Sequence, residues 1–193
     1  MIPLVICSIV GLAIIIERTF ALRRGCVIAK PLAEAVHDYQ SGEDIQQLYG
    51  KAIGNTTVLA RIVQTALSHL DSPKSDNIDA IQVRARAEAV RLERGLVTLE
   101  VIVGIGPLLG LLGTVSGLIR VFGDFGRSAG DSMAEAAGIA AGISQALNMT
   151  VAGLVVAIPA LVVHAYYSRR VEHYMAEMEG ITLDLLAKLY RSR

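Results

Sequence analysis

The stretch AAGIAAGISQALNMTVAGLVVAIPALVVHAYYS, residues 136–168, contains no Asp, Glu, Lys or Arg. A helix that crosses a bilayer needs about 20 predominantly apolar residues. This run exceeds that length, so its helix is predicted to project beyond the lipid. Two further uncharged runs, 1–16 and 101–119, stand elsewhere in the chain. The second is long enough to span. The first is short, which fits a segment that either begins at the far interface or continues N-terminal to Met1. A cleavable signal peptide is the bland alternative for it. Signal peptides carry positive charge before the apolar core, whereas Arg18, Arg23 and Arg24 follow it here. That order predicts a retained helix with its C-terminal end inside the cell.

The whole chain is 53% hydrophobic with a mean hydropathy of +0.50 and a formal net charge of zero. The charge balance gives no nucleic-acid footprint. Cys7 lies in an apolar run and Cys26 outside it, a pattern of small hydrophobes rather than of a disulfide framework or metal site. Four histidines, His37, His69, His164 and His173, fall on separate predicted elements, and no HExxH, P-loop or nucleophile elbow occurs. No catalytic or metal site is expected, and the chain reads as a non-enzyme.

Between the apolar runs the pattern is amphipathic. KPLAEAVHDYQSG predicts a short helix stopped by Gly42, and EDIQQLYGKAIG predicts another. TTVLARIVQTALSHL places Leu59, Ile62, Val63, Ala66, Leu67 and Leu70 on one face of a third. After the turn signal DSPKSDN, Asp76 or Asn77 is the expected N-cap of a long helix. Only Gly95 and Gly104 interrupt 78–105, so the simplest expectation is one helix running into the second span. The interleaved RARAEAVRLERG suits a solvated or interhelical face. The tail carries Tyr174, Met178, Ile181, Leu185 and Leu189 on one apolar side.

The organisation expected is therefore all-α, with three transmembrane helices extended into a cytoplasmic helical bundle. Its parts are a first transmembrane helix (1–24), a cytoplasmic helical region (25–97), a second transmembrane helix (98–122), a periplasmic loop (123–135), a third transmembrane helix (136–168) and a cytoplasmic C-terminal helix (169–193). Most Lys and Arg then face inward, which supports a periplasmic N-terminus and a cytoplasmic C-terminus.

In the second span Gly106, Gly110, Gly113 and Gly117 are spaced by four, three and four. On a helix they form one smooth stripe, which allows close approach of another membrane helix. Gly138, Gly142 and Gly153 do the same in the third span, amid many alanines. Small residues on several sides imply close neighbours on several sides, hence a homo-oligomer. The third span also carries Ser144, Gln145, Asn148 and Thr150. At 100° per residue, Ser144, Gln145 and Asn148 share an arc of roughly 100°, while Thr150 lies elsewhere. Interhelical hydrogen bonding and a cavity holding water or ions both fit this cluster. Charged groups inside spans mark ion pathways, and these spans have none. Glu100, Arg120 and Glu135 only flank them. Any ion path must use neutral oxygens or a carboxylate from a partner.

GPLLGLLGTVSGLI (106–119) followed by GISQALNMTVAGLVVAIPALV (142–162) resembles the paired signature of the MotA/TolQ/ExbB proton channel family, most nearly ExbB and TolQ. ERTFALRR after the first span and RLERGL before the second resemble the same family. The resemblance covers essentially the whole chain. It implies a homopentamer around a central pore in the bacterial inner membrane. Helices of an ExbD- or TolR-like single-span partner would occupy the pore, and the partner's membrane Asp would carry the ion. Force would then pass to a TonB- or TolA-like protein. Thr114 matches the threonine of the family's GTV motif, and Thr150 matches the threonine placed along the ion path.

One position departs from the pattern. The family motif usually reads GIAEAL, and here Gln145 stands where the glutamate would be. Gln does not titrate, so it cannot relay a proton. Three readings follow: the partner Asp and water suffice; the ion is sodium, with Thr114, Thr150 and Asn148 as neutral ligands; or the subunit is a non-conducting paralogue. No cofactor is implied beyond the driving ion. The function expected is an ion-driven energy-transducing motor subunit, and the different-class alternative is a structural membrane scaffold.

Overall fold

The computed structural model describes residues 2–39, 45–125 and 132–191. Among these the chain is all-helical, with no strand. Gly42, the expected helix stop, and residues 126–131 of the expected 123–135 loop lie outside the described residues; the described parts of that loop, 123–125 and 132–135, are instead the end of one helix and the start of the next. Three helices are long and apolar enough to cross a membrane: α1 (Ile2–Ala21), α7 (Leu96–Phe125) and α8 (Ser132–Arg191). Between them lie α2 (Arg24–Val27), α3 (Lys30–Asp38), α4 (Ile45–Ile53), α5 (Val58–Ser68) and α6 (Lys74–Glu93).

The residues fall into two compact units. One comprises 1–17 and 95–166, the other 18–94 and 167–193. The first unit packs on small residues rather than on a large apolar core. Gly11 of α1 faces Ile102, and the α7 glycines face α8. Pro107 and Pro159 sit inside continuous helices.

The second unit has an ordinary hydrophobic core. Leu59, Ile62, Val63, Ala66 and Leu67 of α5 are buried, and Leu70 is half-buried. α5 packs on α3 and α4, where Leu32, Val36 and Leu48 are buried, and the same unit buries Val171, Tyr174, Met178, Leu185 and Leu189 of α8. Burying each such side chain contributes about 1.5–3 kcal/mol. Thr57 caps α5, its hydroxyl accepting from the Ala60 amide at 3.4 Å.

Two local expectations give way to tertiary structure. The helix after the turn begins at Lys74, with Pro73 at the N-cap position. Asn77 does not cap it: fully buried, its amide donates to the Ala66 carbonyl at 2.9 Å and to the Tyr190 hydroxyl at 3.2 Å. The expected continuous 78–105 helix is broken at Arg94–Gly95. Gly is a poor helix former, and the Leu92 carbonyl accepts instead from Arg18 Nη1 at 3.1 Å.

Candidate functional site

The glycine stripe of α7 lies against α8 in antiparallel register. Gly106 faces Ala157 and Gly153, Gly110 faces Met149, Thr150 and Gly153, Gly113 faces Met149, and Gly117 faces Ala146. A Cβ added at Gly110 would stand 2.9 Å from the Met149 carbonyl oxygen and 3.0 Å from the Thr150 Cα. One added at Gly153 would stand 2.7 Å from the Gly106 carbonyl oxygen. Both obstacles are backbone, so these two positions set the closest approach. Gly142 extends the seam to Val121, whereas a Cβ at Gly138 would meet nothing within 4 Å. Glycine spacing thus translates into two helices in near backbone contact, the geometry that small residues permit in membranes.

This seam divides the five polar candidates. Thr114 is buried, with its hydroxyl donating to the Leu111 carbonyl at 2.7 Å. Thr150 is half-buried on the facing helix, beside Gly110, which is one turn before Thr114. The two threonines therefore border the same seam. Ser144, Gln145 and Asn148 are exposed. Ala146, Met149 and Gly153 define the side of α8 that meets α7, and at 100° per residue Ser144 and Asn148 fall nearly opposite to it. Within one chain the structure does not bring these three to the threonines. Glu100, at the edge of α7, is exposed and forms no ion pair among the described residues.

A second polar centre lies in the other unit. Glu88 of α6 is 0% exposed and accepts from Arg61 Nε at 2.9 Å and Arg61 Nη2 at 2.6 Å. Arg84 Nη2 stands 3.0 Å and Arg91 Nη1 3.3 Å from the same carboxylate. Burial pushes the Glu88 carboxyl up, but the Arg61 hydrogen bonds and the charges of Arg61, Arg84 and Arg91 outweigh it, and the net shift is downward. Sequence reasoning saw only alternating charge here. The available signal was that Glu88 falls in line with Ile81 and Leu92, the buried apolar residues of α6.

Residues 54–180 match the MotA/TolQ/ExbB proton channel family. The chain is 37% identical over 195 residues to the biopolymer transport protein ExbB-like 1 of Synechocystis sp., covering 96% of this chain and 74% of that one. It is 31% identical over 180 residues to the biopolymer transport protein exbB1 of Vibrio cholerae, covering 92% of this chain and 78% of the relative. A 97-residue segment is 39% identical to the ExbB protein of Helicobacter pylori, covering 50% and 60% of the two chains. Three helices long and apolar enough to cross a membrane, two of them packed along a glycine seam, define a helical membrane protein. The chain belongs to the MotA/TolQ/ExbB proton channel family, and within it is ExbB-like. These are membrane transport proteins that work in complexes, not enzymes.

Proposed function

We propose that the chain is the ring-forming subunit of an inner-membrane motor driven by an ion gradient. Five copies surround single-span helices of an ExbD- or TolR-like partner, and the partner transmits force to a TonB- or TolA-like protein. The N-terminus is periplasmic and the C-terminus cytoplasmic. The observation that carries this reading is the pairing of Thr114 and Thr150 along one seam, within spans whose uncharged cores hold no acid. Neutral hydroxyls can pass water or a cation but cannot store a proton. The titrating group then belongs to the partner, as a membrane Asp. Ser144 and Asn148, facing away from α7, and the exposed Gln145 on its flank are the polar surface offered to a partner or a neighbouring subunit. Protons are the driving ion, with sodium as the alternative.

The test is ion flux in liposomes containing the chain and its single-span partner, under separate proton and sodium gradients, for the wild type and Gln145→Glu. Proton flux in the wild type supports a partner-borne carboxylate. Flux of sodium alone makes the Thr, Asn and Gln oxygens the selectivity site. Gln145 itself favours a second reading, a non-conducting scaffold or paralogue, and an intact complex passing neither ion decides for it.

A further inference from the structure

The three places where apolar helix gives way to polar chain each carry an exposed arginine: Arg23 after α1, Arg94 before α7 and Arg169 after the uncharged run of α8. Hydrogen bonds hold these junctions side by side. Arg18 donates to the Leu92 carbonyl, the Tyr167 hydroxyl to Thr19 Oγ1 at 2.9 Å, and the Tyr174 hydroxyl to the Leu22 carbonyl at 3.4 Å. Neighbouring arginines are already committed. Arg18 is buried, and Arg24 pairs with Glu177 at 2.5 Å. The other three point their charge outward. The Arg23 guanidinium lies 4.7 Å from the centroid of the Phe20 ring, itself exposed as an interfacial aromatic would be. The Arg169 side chain is 85% exposed, and its contact is the 65% exposed Glu172 at 3.2 Å. Exposed Glu93 and Glu17 offset part of the charge.

We propose that Arg23, Arg94 and Arg169 form a binding site for the headgroup phosphate of an anionic phospholipid. The inference rests on the three spans alone and not on ion conduction. It goes beyond orientation, because a positively charged flank would orient the chain in any bilayer, whereas three cations favour a headgroup of net negative charge over a zwitterionic one whose phosphate is offset by its own ammonium. Guanidinium forks match phosphate oxygens bidentately. Long side chains at span ends reach the headgroup layer. Spans that fix the protein in lipid keep such phosphates within reach at all times, which a soluble anion does not match.

The experiment reconstitutes the full chain in nanodiscs of equal phosphatidylglycerol and phosphatidylcholine and measures the lipids retained on detergent release by native mass spectrometry. The wild type is expected to enrich phosphatidylglycerol at least roughly fivefold, the factor one basic residue near an anionic surface supplies. Arg23→Gln/Arg94→Gln/Arg169→Gln should bring the ratio close to one, and the triple Lys variant should keep most of it. High salt on the wild type should weaken the enrichment, a readout independent of how the variants fold. Equal retention of both lipids by the wild type, enrichment indifferent to salt, or an unchanged ratio in a folded Gln variant would overturn the proposal.

Discussion

Glu88 is a carboxylate with no exposure, held by three guanidiniums that remain partly in water. Such an arrangement is costly to break, because removing one partner leaves charge without its counter-charge. Glu88→Gln should lower stability by about 2–3 kcal/mol, seen as a reduced unfolding temperature in detergent. The pH dependence has a definite sign. The folded carboxyl titrates below its unfolded value, so its contribution is complete above the ordinary glutamate range. It is lost as the pH falls through the lowered folded value. Wild-type stability should therefore drop on acidification in that window, and Glu88→Gln should show a shallower drop. If the two pH profiles are parallel, the ion cluster is not what acid removes. In the first unit, Thr150→Ala removes a hydroxyl beside the glycine seam without touching the backbone approach. Ion-driven function should fall while assembly persists, and unchanged flux would return Thr150 to a packing role.

At the scale of elements, the antiparallel seam of α7 and α8 gives the sharpest contrast. Gly110→Ala and Gly153→Ala each force a methyl onto backbone atoms, and Gly113→Ala forces one to 2.8 Å from Met149 Cβ, which the backbone fixes, whereas a Cβ at Gly104 of α7 would meet nothing within 4 Å. Overpacking of this kind costs about 1–3 kcal/mol. The three seam variants should destabilise the protein in thermal scans, and Gly104→Ala should cost distinctly less; equal effects would mean the helices part easily. The end of α8 makes another tie between elements. Lys188 donates to the His37 carbonyl at 2.6 Å and the Val36 carbonyl at 3.2 Å, at the C-terminal turn of α3. A cation is favourable there. Lys188→Met should raise amide hydrogen exchange in α3 while leaving α5 unchanged. Much of this was legible in the sequence, because apolar run length and the four-three-four glycine spacing are local signals. The break at Arg94–Gly95 was legible only in part: Gly95 stood out as an interruption, but not that Arg18, distant in sequence, would donate to the Leu92 carbonyl beside it. Asn77 misled for the same reason: a good capping residue was drawn into contacts with Ala66 and Tyr190. Ser144 and Asn148 could be separated from Thr150 by helical geometry, but the side facing α7 emerged only from the packing.

For the whole molecule, the decisive quantity is apolar surface left uncovered. Only 11% of the α1 span window, 28% of that of α7 and 22% of that of α8 are buried within one chain. Lipid covers large aliphatic side chains well, so exposed Leu108, Leu112, Val155 and Val162 need no protein neighbour. Small residues are different. Ala136, Ala137, Gly138, Ala140 and Ala141 form an exposed start to the third span, with open space at Gly138. A surface of that kind gains little from lipid tails but permits close helix contact. A second copy of the chain is the neighbour that every subunit has at hand, and a closed ring satisfies all copies equally. Native mass spectrometry of the detergent-extracted protein should therefore give a closed oligomer, of five copies under the ring proposed above. Gly138→Leu should weaken the assembly while leaving helical content unchanged, because nothing within its own chain obstructs the new side chain. A wild type that stays monomeric would remove the pore and, with it, any role for the exposed Ser144 and Asn148 in lining one.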